Sequence, residues 1–277
     1  MRGIVITKNA GLFTVESAGN LYNLPASGKT KEHGLFVGDE VEFEGAITSI
    51  LPRKNLLIRP PMANVDKLFI VICPLPKPDF VLVDKIIIYS YLNDIEPILV
   101  INKTDRADEN FISEVEKSYI FLKIIKVCAK NGDILPLKCE INGICAFAGQ
   151  SAVGKSSLIN ALTGNGSAEV GELSKKIERG KQTTRIVSLY KFENGYLADT
   201  AGFSMLDLAF VSSLKKEELS SYYPDFLNAR ALCKYRSCLH RHGDCGVIAK
   251  VKSGEISALR YNNYLKILDE LEKSEKF

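Results

Sequence analysis

A glycine-framed loop at residues 149–157, with the sequence GQSAVGKSS, carries residue types that bind phosphate. The apolar run ICAFA precedes it and LINAL follows it, so we expect the loop to join a buried strand to a helix. A GxxxxGK[ST] loop in that setting turns its backbone N–H groups toward a phosphate at the helix N-terminus. Lys155 is predicted to contact the β- and γ-phosphates of a nucleotide, and the Ser156 hydroxyl to hold Mg²⁺. The residues predicted to bind nucleotide here are Gly149, Gln150, Ser151, Ala152, Val153, Gly154, Lys155, Ser156 and Ser157.

Two further polar motifs follow apolar runs that have the composition of strands buried on both faces. NKTD at residues 102–105 follows PILVI, and Cys128, Ala129 and Lys130 follow the next such run. Ligands of open α/β sheets bind beyond the carboxyl ends of the strands, so these motifs should face the same site as the phosphate loop. N-K-x-D is the guanine-specificity signature of the translation-factor-related GTPases, and C-A-K resembles their S-A-K loop.

The chemistry of a guanine ring suits the residue types in these two motifs. Asp105 can accept hydrogen bonds from guanine N1–H and the 2-amino group, an arrangement that adenine does not offer. Asn102 can bond the O6/N7 edge or brace the neighbouring loop, while the stem of Lys103 packs on the base and ribose. The backbone N–H of Ala129 should meet guanine O6. Cys128 replaces the usual serine, a change that should spare this backbone contact.

The polar, glycine-punctuated residues 166–182 are interpreted as switch I, a loop ordered by the γ-phosphate and Mg²⁺. This stretch leads into QTTR, where Thr184 is expected to complete the Mg²⁺ shell and Thr183 is the alternative. Residues 186–190 and 196–198 are predicted to pair as an antiparallel hairpin.

The predicted hairpin ends at DTAG, residues 199–202, which matches D-x-x-G. Asp199 is expected to bond a Mg²⁺-bound water and the Gly202 N–H to sense the γ-phosphate. Phe203 stands where many GTPases carry a water-orienting glutamine, so Gln182 or a group from outside the chain should position the attacking water. The predicted catalytic residues are Lys155, Thr184, Gln182 and Gly202.

The order of the five motifs indicates a circular permutation. Ordinary GTPases begin with the phosphate loop, whereas here N-K-x-D and C-A-K come before it. A parallel sheet tolerates such a change when the old termini are close. The new ends fall between D-x-x-G and N-K-x-D. Switch II, the segment at D-x-x-G, is therefore no longer tied to the next strand of its own sheet, and the residues that follow it must anchor it.

A cysteine-rich segment follows, with the spacing C-x4-C-x-H-x4-C. Three thiolates and one imidazole, from Cys233, Cys238, His240 and Cys245, can close a tetrahedral structural Zn²⁺ site. His242 is a competing fourth ligand. An amphipathic, charge-rich helix at residues 256–273 is predicted to end the chain.

The bulk composition and the first sixty residues give a consistent background. The chain of 277 residues has a formal charge of +3, too small to argue for nucleic-acid binding, and no apolar run near the ~20 residues of a membrane span. Seven cysteines without an export signal favour a reducing cytosol.

Short strand-like runs up to about residue 60 suggest an OB-fold or a plain barrel, in which Arg53, Lys54 and Arg59 could face phosphates. Beyond it, alternating strands and helices predict a mainly parallel α/β sheet.

A barrel, a permuted GTPase unit and a C-x4-C-x-H segment in that order resemble the bacterial small-ribosomal-subunit-dependent GTPase family, RsgA. The resemblance implies an OB-fold at residues 1–62, a circularly permuted GTPase domain at 63–212 and a zinc-binding helical domain at 213–277. It also implies a cytoplasmic monomer that hydrolyses GTP with Mg²⁺, stimulated by the small subunit, during late maturation of that subunit and in contact with its rRNA. The alternatives are a permuted GTPase of the large subunit and an RNA-binding scaffold with a structural nucleotide site.

Three positions and one spacing depart from the family pattern. Ala152 stands where the family usually has glycine, and Ala201 replaces the proline of D-T-P-G. Gln182 stands where a histidine is usual, and the spacing between His240 and Cys245 is shorter than usual.

Overall fold

The computed structural model describes residues 1–9, 11–28, 30, 34–164, 187–193, 195–199 and 206–274. Within these ranges the strands form a five-stranded sheet, a six-stranded sheet and a two-stranded ribbon. None of the helices in the described part of the chain is long and apolar enough to cross a bilayer.

The first sheet is antiparallel and curls into a barrel. Its strands lie in the order β3-β2-β1-β4-β5, and a bridge between Ala26 and Ile47 brings the end of β3 against β5. Apolar side chains such as Val5, Val15 and Val41 fill the interior. The OB-type barrel expected from the sequence is therefore present. The strands are β1 (Arg2–Asn9), β2 (Leu12–Ser17), β3 (Asn20–Pro25), β4 (Glu40–Phe43) and β5 (Ile47–Ile50).

Two of the basic residues expected to face phosphates instead pair within the protein. Arg53 donates to both carboxylate oxygens of Asp39, at 2.6 and 2.8 Å, and its guanidinium lies 5.0 Å from the centre of the Phe36 ring. Lys54 donates to Asp66 at 2.7 Å. Because Asp39 is fully buried, Arg53 compensates its charge, as the plain-barrel alternative allows, and the prediction that these basic residues could face phosphates stays a prediction.

A six-stranded sheet forms the centre of the molecule. Its order is β10-β9-β8-β11-β13-β12, with the first five strands parallel and β12 antiparallel to β13. The strands are β8 (Val65–Ile72), β9 (Glu96–Ile101), β10 (Lys123–Lys126), β11 (Gly143–Ala148), β12 (Ser188–Phe192) and β13 (Gly195–Asp199), and the ribbon that precedes them is β6 (Leu56–Leu57) with β7 (Met62–Ala63). The predicted parallel α/β architecture is confirmed.

Helices cover both faces of this sheet. Alternate residues of the buried strands enter two cores: Leu68 and Ile70 pack with helix α1, whereas Phe69 and Val71 pack with helix α4. The helices of this region are α1 (Phe80–Leu92), α2 (Glu109–Ser118), α3 (Leu135–Lys138) and α4 (Lys155–Thr163).

The C-terminal residues share the core of the sheet. Tyr264 and Leu268 of the last helix belong to the same buried cluster as α1 and β8. The elements are α5 (Leu208–Val211), two 3-10 turns (Leu219–Tyr222 and Pro224–Phe226), α6 (Leu227–Arg230), α7 (Gly246–Lys252) and α8 (Ala258–Ser274). We call residues 213–274 the C-terminal unit, and the domain limits at 62 and 212 stay predictions.

The barrel contacts the sheet through Glu16. This side chain accepts hydrogen bonds from Lys191 Nζ at 2.7 Å and from the Tyr196 hydroxyl. Burial alone raises the pKa of Glu16, but the hydrogen bonds from Lys191 and Tyr196 outweigh it and lower the pKa below its ordinary value. The barrel therefore rests on the β12–β13 hairpin, the hairpin that ends at Asp199.

Candidate functional site

Two glycines give the loop at residues 149–157 its shape. Gly149 has φ +124°, and a Cβ there would lie 2.3 Å from Val71 O. Gly154, at φ +98°, caps α4, and a Cβ would lie 2.4 Å from Asn102 Nδ2. Neither position admits a side chain, because both combine a positive φ with a backbone or amide in contact.

Lys155 lies across this loop. Its Nζ donates to Gly149 O at 2.8 Å and to Gln150 O at 2.7 Å, so the ammonium is held beside the backbone that would surround a phosphate. Ala152, where the family usually has glycine, adopts the left-handed conformation at φ +65°. A non-glycine residue pays about 1 kcal/mol or more for that conformation, which glycine adopts freely.

Asn102 joins three loops at the carboxyl edge of the sheet. It is 1% exposed; its Nδ2 donates to Val153 O at 3.0 Å, and its Oδ1 accepts from the Ala129 N–H at 3.3 Å. Of the two roles left open by the sequence, the structure shows the bracing one. Lys103 adds a second tie, because its Nζ donates to Ala152 O at 2.7 Å.

A cavity of about 430 Å³ opens beside these loops. The Asp105 carboxylate lies at its wall: Oδ1 accepts from Cys128 Sγ at 3.3 Å, and Oδ2 lies 4.0 Å from Arg106 Nε. Both predicted base-recognition motifs therefore meet in one cavity, and Arg106, which belongs to neither motif, joins them. The lining residues are Asn102, Lys103, Asp105, Arg106, Cys128, Ala129, Lys130, Gly154 and Ser157.

Several predicted site residues lie outside the described part of the chain. These are the switch I candidate, Gln182, Thr183, Thr184, Gly202 and Phe203. Asp199 is placed by its backbone only. It ends β13, which pairs in parallel with β11, so it reaches the same edge of the sheet as the phosphate loop.

The cysteine-rich segment brings four side chains together. One ligand atom from each of Cys233, Cys238, His240 and Cys245 lies within 4.8 Å of the others. His240 Nδ1 is 3.5 Å from Cys233 Sγ and 3.4 Å from Cys245 Sγ. The donor set and its convergence fit a tetrahedral metal ion.

The rest of the C-terminal unit positions this cluster. The Tyr261 hydroxyl of α8 donates to His240 O at 2.7 Å, and the Tyr264 hydroxyl donates to Leu239 O at 3.0 Å. Burial lowers the pKa of His240 to about 4, which keeps the imidazole neutral, the form that ligates metal. His242, the competing ligand, is exposed and is not a member of the cluster.

Taken together, a phosphate loop placed after two base-recognition loops on a parallel sheet defines a circularly permuted P-loop GTPase. A family model described as RsgA GTPase matches residues 50–209. The chain belongs to the RsgA GTPase family.

Curated relatives and solved structures agree along nearly the whole chain. "Small ribosomal subunit biogenesis GTPase RsgA" of Streptococcus mutans is 39% identical over 98% of this chain and 96% of that protein. The protein of that name from Carboxydothermus hydrogenoformans is 39% identical over 100% and 99%. YjeQ from Thermotoga maritima superposes with a TM-score of 0.83 at 34% identity, covering 98% of each chain. YloQ, described as a circularly permuted GTPase, superposes with a TM-score of 0.79 at 28% identity, covering 98% of this chain and 95% of YloQ.

Proposed function

We propose that this protein hydrolyses GTP to GDP and phosphate and acts in biogenesis of the small ribosomal subunit, as the names of its relatives state for them. The nucleotide-binding part of this proposal rests on the contacts of Asn102. Its buried side-chain amide bonds both the phosphate loop and the C-A-K loop. The three loops are thereby held together as one site, which is the arrangement that a guanine nucleotide requires.

The reaction is an in-line displacement at the γ-phosphorus. A water oxygen forms a bond to the γ-phosphorus while the bond between that phosphorus and the β,γ-bridging oxygen breaks. One water proton leaves with the phosphate product and the other is released to solvent. Lys155 and the N–H groups of the loop stabilise the charge that develops on the phosphate oxygens. Ser156, Thr184 and Asp199 would hold Mg²⁺, which neutralises phosphate charge when bound. Gln182, or a group from the ribosome, positions the attacking water.

The partners follow from the relatives' names and from the site. GTP is the substrate. The protein binds the small subunit and its rRNA as a monomer in the cytoplasm. A permuted GTPase that acts on the large subunit and a scaffold with a structural nucleotide site are the two alternatives. Both differ from the proposal in measurable ways, since only the small-subunit GTPase hydrolyses GTP faster when that subunit is added.

The isolated protein tests the nucleotide chemistry. We expect slow turnover of GTP and no measurable turnover of ATP, because adenine lacks the donors that Asp105 accepts. Lys155→Ala should lower kcat/KM by about 10²- to 10³-fold, since it removes a charge that acts on the transition state. Lys117→Ala, at an exposed position on α2, is the control and should leave turnover unchanged. Equal hydrolysis by the Lys155 variant and the wild type would refute the assignment.

We also infer that Cys233, Cys238, His240 and Cys245 hold a structural Zn²⁺ that fixes the C-terminal unit. The purified protein should contain one zinc ion per chain by elemental mass spectrometry. Cys245→Ser should lose most of it and melt about 10 °C lower, because metal affinity contributes directly to folding. Cys139→Ser changes an exposed cysteine outside the cluster and should do neither. Full zinc content in Cys245→Ser would contradict the assignment.

A further inference from the structure

Gln150 connects the phosphate loop to the start of helix α1. Its Oε1 accepts a hydrogen bond from the Asp79 N–H at 2.7 Å, and its Nε2 donates to Lys77 O at 3.0 Å. These partners lie 71 and 73 residues earlier in the chain, in the loop between the neighbouring strand β8 and helix α1. The two polar groups of one side-chain amide therefore join the phosphate loop to the loop that precedes α1.

The backbone of the same residue contacts the lysine of the phosphate loop. Lys155 Nζ donates to Gln150 O at 2.7 Å and to Gly149 O at 2.8 Å. A phosphate oxygen bound by the Lys155 ammonium is therefore linked through that ammonium to the Gln150 carbonyl, because –NH₃⁺ can donate to several acceptors at once. The side-chain amide of Gln150 links this contact in turn to the residues before α1.

Helix α1 is in turn joined to the C-terminal unit. Asp79 caps the helix by accepting from the N–H groups of Val81 and Leu82, both at 3.1 Å. Farther along the same helix, the carboxylate of Asp84 bonds Arg260 of α8, and these two side chains are 0% and 1% exposed.

The contact between α1 and α8 has a second polar component. Asn263 Nδ2 of α8 donates to Phe80 O at 3.1 Å and to Asp84 Oδ2 at 3.0 Å. A buried, hydrogen-bonded ion pair is costly to break, so a displacement of α1 should carry α8 and the Cys3His cluster with it.

We propose that Gln150 is a positioning residue of the phosphate loop, and that it transmits the nucleotide state through α1 to α8 and the metal-binding segment. This inference rests on the proposed GTP-binding function. It assigns a physical connection between the nucleotide site and the C-terminal unit made wholly by residues 77–84, 149–155 and 258–264. Such coupling requires that the nucleotide site and the C-terminal unit each have two conformations. Amide hydrogen exchange can detect the change between them.

Hydrogen–deuterium exchange of the full-length protein, with and without a non-hydrolysable GTP analogue, tests the proposal. In the wild type, the analogue should slow exchange in residues 155–163, 79–84 and 258–264. In Gln150→Ala, the slowing should remain in 155–163 and be lost in the other two segments. Lys77→Ala is the matched control, because Gln150 bonds only the backbone carbonyl of that residue, and it should behave as wild type.

Kinetics supply a second measurement on the same variants. Loss of the two Gln150 hydrogen bonds should loosen the phosphate loop, so we expect KM for GTP to rise about tenfold while kcat changes less, because that loop binds the phosphates of substrate and transition state alike. Unchanged protection of residues 79–84 and 258–264 in Gln150→Ala overturns the inference and leaves GTP hydrolysis standing. A wild-type protein that neither binds nor hydrolyses GTP overturns the proposed function, and the inference with it.

Discussion

Asp105→Asn is expected to weaken GTP binding by about 10²-fold and to tighten binding of xanthosine triphosphate. The carboxylate can accept from guanine N1–H and from the 2-amino group, and hydrogen bonds to a charged acceptor contribute about 1.5–3 kcal/mol each. An asparagine amide can accept a hydrogen bond from N1–H, but its own NH₂ then faces the 2-amino group of guanine, which is also a donor. Xanthine has an oxygen in place of the 2-amino group, so the asparagine NH₂ can donate to it.

Equilibrium binding of fluorescent GTP and xanthosine triphosphate measures this change directly. Asp108→Asn is the matched control, three residues along, because Asp108 caps α2 by accepting from the Phe111 N–H, and asparagine caps equally well. Its nucleotide affinities should equal those of the wild type. If Asp105→Asn retained its preference for GTP over xanthosine triphosphate, the cavity beside Asp105 and Cys128 would not be the guanine site.

Arg260→Met is expected to lower the free energy of unfolding by about 3–5 kcal/mol, the cost of leaving a buried carboxylate without its partner. Arg260 bonds Asp84 and donates to Asp225 at 3.0 Å, with its guanidinium 4.4 Å from the centre of the Tyr223 ring. Burial alone lowers the pKa of Arg260, but the carboxylates of Asp84 and Asp225 more than offset it and raise the pKa. The charge therefore persists, and methionine cannot replace it.

Urea denaturation followed by circular dichroism provides the measurement. Lys250→Met is the control, because Lys250 pairs with Glu255 at the surface and exposed pairs contribute about 0–1 kcal/mol. The double variant Arg260→Met with Asp84→Leu should be less destabilised than the sum of the two single changes, since no unpaired Asp84 charge remains. Equal losses from Arg260→Met and Lys250→Met would show that the buried network contributes nothing special.

The sequence predicted the parts of the site that are local in the chain. The phosphate loop, the N-K-x-D motif and the C-A-K motif each follow an apolar run, and sheet topology then brings them to one edge. The cluster of His240 with the three cysteine sulfur atoms was also predictable from the sequence, because C-x4-C-x-H-x4-C spans only thirteen residues. These features depend on spacing that a single sequence displays.

The contacts that the sequence did not predict join residues far apart in the chain. In the sequence, Arg260 is one of several charged residues of an amphipathic helix. Its burial depends on Asp84, which lies 176 residues earlier. Gln150 reads as a variable position of the phosphate loop, although its amide bonds residues near the start of α1. Arg53 is a basic residue at the end of a barrel, and only the fully buried Asp39 shows that its charge is used internally. No local pattern contains such partners.

The most direct test of the account is co-sedimentation of the protein with purified small or large ribosomal subunits, with GTP hydrolysis followed in the same tubes. We predict that the protein pellets with small subunits, more with a non-hydrolysable GTP analogue than with GDP, and that small subunits raise GTP turnover by at least about tenfold. Large subunits should do neither. Stimulation by large subunits, or no stimulation by small subunits, would contradict the account.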